Sequence, residues 1–187
     1  MRIISPIVAC DHPLADRINQ PLADAFGQLG KDDFKHRSHL IDGRFENLYL
    51  EPNQLPGLNA VLDFAMVQAQ SLLASGRATW LDHPLEPDQR LRIGFWVNAM
   101  QPGQSTSLHR HEENDELCSG VYYVSAPENA GDILFHQMPF ETRVTPRAGL
   151  MLLFCPALDH SVEVNHSDVQ RLSIAFNIGP NDDLRRR

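Results

Sequence analysis

The sequence predicts a mainly β fold, a double-stranded β-helix or jelly roll with helices packed on its outside. Three observations carry that expectation. Beyond Gln89 the chain alternates short β-rich runs with turn signals such as "QPGQ", "PENAGD", "TPRAG" and "NHSD". Between Pro56 and Ala74 apolar residues recur at helical spacing. At 187 residues and 42% hydrophobic content, the chain suits one domain with a real core and is too short for two comfortable ones. We therefore expect a single domain over 1–187, with a helical support region over 1–89 and the jelly-roll core over 90–180.

Taken in order, "RIISPIVA" reads as a first strand. Leu14, Ile18, Leu22, Phe26 and Leu29 then form a helical stripe, which Pro21 should kink or split and Gly30 should end. The segment "KDDFKHRSHLIDGRFENLYLEPNQ" is polar and irregular, and within it only a short strand at Glu46 to Leu50 is expected. The stripe Leu58, Val61, Leu62, Ala65, Ala69, Leu72 and Leu73 predicts a long amphipathic helix, started near Asn53, stopped at Ser75 and Gly76, and suited to covering a sheet. "LDHPLEPD" is a connecting loop. The β runs that follow are Leu91 to Met100, Ser105 to His111, Leu117 to Val124, Asp132 to His136, Thr142 to Thr145, Leu150 to Phe154, His160 to Val164 and Gln170 to Ile178. Eight short strands at this spacing make a jelly roll or barrel.

Composition narrows the function. A net charge of −8 argues against nucleic acid as partner, because binding to a phosphate backbone rests on basic patches; the basic "LRRR" at Leu184 to Arg187 reads as a solvated tail. No run of 18 uncharged apolar residues is present and the N-terminus lacks a secretory pattern, so a soluble cytoplasmic protein without membrane partners is expected. Cys10, Cys118 and Cys155 are odd in number and widely spaced, which suggests buried reduced thiols.

Nine histidines are the compositional excess. Strand side chains alternate faces, so His109 and His111 in "SLHRHEENDE" point the same way and can reach one ion. A third ligand is needed, and His136, His160 and His166 are the downstream candidates. We take His160, because it follows a buried strand and short turn where a jelly roll returns the chain beside its early strands. Imidazole suits iron, nickel, copper or zinc, and three ligands leave positions open for substrate and oxygen. On the last strand, "QRLSIAFNIG", Leu172, Ile174 and Phe176 share one face and Arg171, Ser173, Ala175 and Asn177 the other. If that second face lines the barrel interior, Arg171 becomes a buried cation that wants a carboxylate.

"HRH", then "LCSGVYYVSAPENAGDILF", "PRAGLMLLFCPALDHSV" and "RLSIAFN" resemble the 2-oxoglutarate and Fe(II) dependent oxygenases, in unbroken order from about Phe95 to Asn177. The resemblance implies a dioxygenase that hydroxylates an unidentified substrate with oxygen and releases succinate and carbon dioxide. It makes His109 the first and His160 the distal ligand of Fe(II), and Arg171 with Ser173 the pair that holds the far carboxylate of 2-oxoglutarate; His111 is taken as the third ligand because its side chain shares a face with His109. It adds Asn98 as a holder of the co-substrate or of a ligand, and Tyr122 or Tyr123 as a phenol donor. Trp96 and Phe135 are expected as cavity walls or core. The broader superfamily carries Asp or Glu where His111 stands, so Glu112, Asp115 and Glu116 are the alternatives to His111 as third ligand.

Two other readings fit part of the pattern. Gly103, His109, His111 and Glu116 have the spacing of a first cupin metal motif, which would mean a cupin-like dioxygenase or isomerase that does without 2-oxoglutarate. Ten residues between Gly149 and His160 fit the second cupin motif poorly. A non-catalytic jelly-roll binding module is the third reading. The sequence carries no signal for oligomeric state; a homodimer is compatible with it.

Overall fold

The computed structural model describes residues 7–41, 43–86, 88–111 and 115–181. Glu112, the "LRRR" tail and the first residues of "RIISPIVA" lie outside them. The chain opens with β1 (Ile7–Asp11) and α1 (Ala15–Phe26), continues through β2 (His36–Ile41) and β3 (Arg44–Tyr49), and reaches α2 (Leu58–Ala74). Eight strands follow: β4 (Leu91–Met100), β5 (Thr106–His109), β6 (Cys118–Ser125), β7 (Ile133–Gln137), β8 (Phe140–Val144), β9 (Leu150–Phe154), β10 (Asp159–Val162) and β11 (Arg171–Pro180). They are the eight runs expected from the turn signals, with ends shifted by a few residues at most.

The strands form two facing antiparallel sheets, one of seven in the order β1-β9-β6-β11-β4-β3-β2 and one of four in the order β5-β10-β7-β8. Both helices belong to the layer outside the larger sheet. Alternation divides the apolar residues between two cores. Tyr122, Met151, Leu153, Leu172, Ile174 and Phe176 pack with Leu22, Leu58, Val61 and Ala65 of the helices. Val121, Tyr123, Leu152 and Phe154 pack with Ile133 and Phe135 between the sheets. Each such side chain contributes about 1.5–3 kcal/mol by leaving water, so the two cores together hold the large sheet rigid from both faces.

Three expectations about the N-terminal region need correction. Pro21 neither kinks nor splits the first helix: α1 is continuous with Pro21 inside it. Pro21 lies on the exposed face, where water can take the carbonyl that its missing N–H leaves free. The segment around residue 40 is not irregular but a hairpin, with His36 paired to Tyr49 and Ile41 to Arg44. Its turn signal is the dipeptide Asp42-Gly43 between the paired ends, and Gly43 has the positive φ of 78° that such a turn asks of a glycine. The second helix starts at Leu58, after Gly57, rather than near Asn53.

Candidate metal and co-substrate site

Strand pairing builds the candidate metal end of the site. His109 ends β5 and stands directly opposite His160 of β10. His111, just past the strand, is set by its backbone N–H, which donates to the Pro156 carbonyl at 2.9 Å. The ligand nitrogens of the three imidazoles all lie within 4.8 Å of one another, and among the described residues no other group of His, Cys, Asp or Glu gathers in this way. His109 Nδ1–H donates to the Ser107 carbonyl at 2.8 Å and His160 Nδ1–H to the Leu158 carbonyl at 2.9 Å. Those bonds fix the tautomers and leave each Nε2 with a free lone pair, the usual outer support of a metal-binding histidine.

His111 supplies the test of fit. Both of its ring nitrogens are buried, and neither has a hydrogen-bond partner. An imidazole left so costs stability unless something else satisfies it, and a metal ion would. Burial, and then the neighbouring His109, lower the His111 pKa to about 4; the same causes, joined by His111, lower that of His160 to about 3. Both rings are therefore neutral donors at physiological pH, the state in which imidazole binds metal.

The other candidate ligands lie elsewhere. Asp115 is ion-paired with Arg92, and Glu116 lines the cavity without joining the imidazole group. His136 lies 3.0 Å from Ser161 Oγ and 3.4 Å from Glu141, and His166 is placed by its backbone N–H to the Asn129 carbonyl.

A cavity of about 410 Å³ extends from the imidazoles along the inner face of the large sheet. Arg171, Ser173, Ala175 and Asn177 all line it, so the polar face of the last strand is turned inward. Arg171 is 3% exposed. Its Nη1 donates to the carbonyls of Gly131 at 2.6 Å and Ala130 at 3.3 Å, and its guanidinium stacks over the Tyr123 ring at 5.0 Å. No carboxylate is within ion-pairing distance of it among the described residues. Burial pulls the guanidinium below its ordinary pKa, partly offset by Tyr123.

Asn98 and Ser173 are register partners on β4 and β11, and both line the cavity. Tyr123 does not line it; the ring is fully buried beneath Arg171 and its hydroxyl has no partner. Tyr122 is on the opposite face, where its hydroxyl donates to Asn19 of α1 at 2.6 Å. Trp96 is a cavity wall, meeting His111 edge-on at 5.2 Å, whereas Phe135 belongs to the core between the sheets. His39, Glu46, Asn47 and Tyr49 of the hairpin also line the cavity; the sequence names none of them as site residues, although it does predict the strand that carries the last three.

Residues 94–143, which include His109 and His111, match the sequence profile of the family described as "Putative 2OG-Fe(II) oxygenase". No curated protein sequence matches the chain. Solved structures share its fold. A Pseudomonas putida prolyl-4-hydroxylase is similar with a TM-score of 0.67 at 19% identity, over 94% of each chain. A Trichoplax adhaerens prolyl hydroxylase, in complex with a hypoxia inducible factor peptide fragment, gives 0.66 at 12% identity, over 94% of this chain and 84% of that one. HygX from Streptomyces hygroscopicus, with nickel, 2-oxoglutarate and hygromycin B bound, gives 0.64 at 13% identity, over 95% and 84%. The family match thus covers the segment that carries the first two imidazoles, and the solved structures share the jelly-roll fold.

Proposed function

We propose that the chain is a non-haem Fe(II) and 2-oxoglutarate dependent dioxygenase that hydroxylates a C–H bond and releases succinate and carbon dioxide. One observation carries the reading: an imidazole whose two nitrogens are buried without partners belongs to a convergent trio, and the same cavity holds a buried arginine with no carboxylate. Each end lacks what the proposed ligands bring, a cation at one and an anion at the other.

In this reading His109, His111 and His160 hold the metal, and His111 takes the place of the superfamily's carboxylate, which leaves the ligand set without negative charge. Iron bound there supplies the redox chemistry that couples oxidative decarboxylation of 2-oxoglutarate to hydroxylation. Arg171 and Ser173 receive the far carboxylate, Asn98 donates beside them, and the Tyr123 ring keeps the guanidinium in place. Trp96 and Tyr49, whose ring centroids are 6.4 Å apart, wall the cavity next to His111 and exclude water from the reacting side. Structures of similar fold hold hygromycin B in one case and a peptide in another, so fold does not choose the prime substrate. No helix among the described residues is long and apolar enough to cross a membrane. Three free cysteines suit a reducing compartment, and we place the enzyme in the cytoplasm.

A cupin-type dioxygenase or isomerase would share the three imidazoles but would have no use for Arg171. Oxygen uptake and succinate formation by the purified chain, with Fe(II) and 2-oxoglutarate, decide between them. We expect both, and expect Arg171→Ala to abolish them; metal uptake with no affinity for 2-oxoglutarate would reject the proposal in favour of the cupin chemistry.

A further inference from the structure

We infer that Arg44 is a positioning residue for the co-substrate: it grips the Asn98 carboxamide by its oxygen, so that the amide nitrogen is presented to the cavity beside Ser173 and Arg171. The inference rests on the reading of this cavity as a 2-oxoglutarate site and concerns how that site is oriented.

Arg44 opens β3, and its side chain is only 10% exposed. Its Nη1 donates to Asn98 Oδ1 at 3.1 Å and to the Ala99 carbonyl at 3.4 Å. Its Nη2 donates to Glu46 Oε1 at 2.7 Å, to the Ser105 carbonyl at 2.7 Å and to Thr106 Oγ1 at 3.4 Å. A guanidinium has donors and no acceptor. The carboxamide must therefore turn its oxygen to Arg44, because the flipped amide would set donor against donor. What remains is an N–H₂ group with no partner among the described residues, on a side chain that lines the cavity and sits opposite Ser173 in register.

Glu46 completes the device. Its carboxylate is buried against Arg44, so the charge of Arg44 is spent locally and the guanidinium acts as a clamp rather than as a rival seat for an incoming carboxylate. The hairpin thereby sets the donor geometry of a site whose other groups come from β4 and β11.

The test is calorimetric titration of 2-oxoglutarate into the full chain loaded with Zn(II), which is redox-inert, so that binding is read without turnover. Asn98→Ala and Arg44→Ala should each weaken binding about tenfold, as the loss of a hydrogen bond to a charged group does. The double variant should be no weaker than either single one, because both remove the same contact. Zn(II) affinity should stay within about twofold of wild type, since neither residue belongs to the imidazole trio. Arg44→Ala strands a buried carboxylate, so the paired variant Arg44→Met with Glu46→Leu, which removes both charges, serves where Arg44→Ala does not fold, and should show the same tenfold loss. Arg44 variants that bind like wild type, or losses that add with Asn98→Ala, would overturn the inference alone. Wild-type protein that takes up Zn(II) but no 2-oxoglutarate would remove the reading of the site, and the inference with it.

Discussion

The two ends of the cavity are built differently. At the metal end, two of the three imidazoles face each other across one pair of strands, β5 and β10, and the third follows two residues later along the chain. At the anchor end, Arg171, Ser173, Asn98 and Arg44 come from three strands of the larger sheet, and Arg44 enters through a hairpin far away in sequence. A site made by one strand pair is tolerant of what surrounds it. A site made from several strands depends on each of them being seated.

The largest effect should come from breaking the metal end at its centre. His160→Ala should lower Fe(II) or Zn(II) affinity by more than about 100-fold, beyond the cost of losing a mere supporting residue, with the circular dichroism spectrum essentially unchanged. Unaltered metal content in the purified variant would refute the assignment. At the anchor end, Arg171→Ala should weaken 2-oxoglutarate binding by roughly 100-fold, the scale for truncating one member of a buried charge pair, while metal affinity stays within a factor of about three. A parallel fall in metal affinity would mean that the two ends are not separable.

Acid should discriminate between them next. His111 and His160 titrate at about 4 and about 3 in the fold, against 6.5 ordinarily, so the unfolded chain takes up these protons first. Their contribution to stability is thus whole above pH 6.5 and is lost as pH falls toward 4 and then 3, by about 1.4 kcal/mol per group per pH unit. Denaturant titrations of metal-free protein at pH 7.5, 6 and 5 should show this slope, and His160→Ala should flatten it; an equal slope in that variant would assign the acid sensitivity elsewhere. The smallest change expected is Tyr123→Phe. Removing a buried hydroxyl that has no partner should leave stability within about 1 kcal/mol of wild type or slightly above it. Binding of 2-oxoglutarate should fall only about threefold if the ring, rather than the hydroxyl, supports Arg171.

Most of the jelly roll is legible in the sequence. Its strands are short β-rich runs separated by Gly, Pro and Asn turns, so local chemistry names their limits, and where they alternate, as on β11, their faces as well. On β11 the division of Leu172, Ile174 and Phe176 from Arg171, Ser173 and Asn177 followed from period two alone. Of the hairpin only the second strand was expected, at Glu46 to Leu50, and β3 is there; the first, "HRSHLI", was missed because it lacks a continuous apolar face. Pairing of β3 with β4, and of β2 with β3, stabilises them through contacts that composition does not announce. His39 falls on that first strand, whereas Glu46 and Tyr49 fall on the expected one and only their place in the cavity went unread.

What the sequence by itself determined is therefore local and periodic: the strand succession, the spacing of His109, His111 and His160, and the alternation that puts Arg171, Ser173 and Asn177 on one face of the last strand. Only the tertiary structure decided which residues share the cavity with them. It left both nitrogens of His111 unpartnered, kept Asp115 away on Arg92, put Tyr122 behind the sheet, and brought Arg44 to Asn98 across 54 residues of chain. The physical reason is that alternation specifies the direction of a side chain relative to its own strand, whereas its neighbour across a cavity depends on how sheets are stacked and paired, and long-range packing alone sets that.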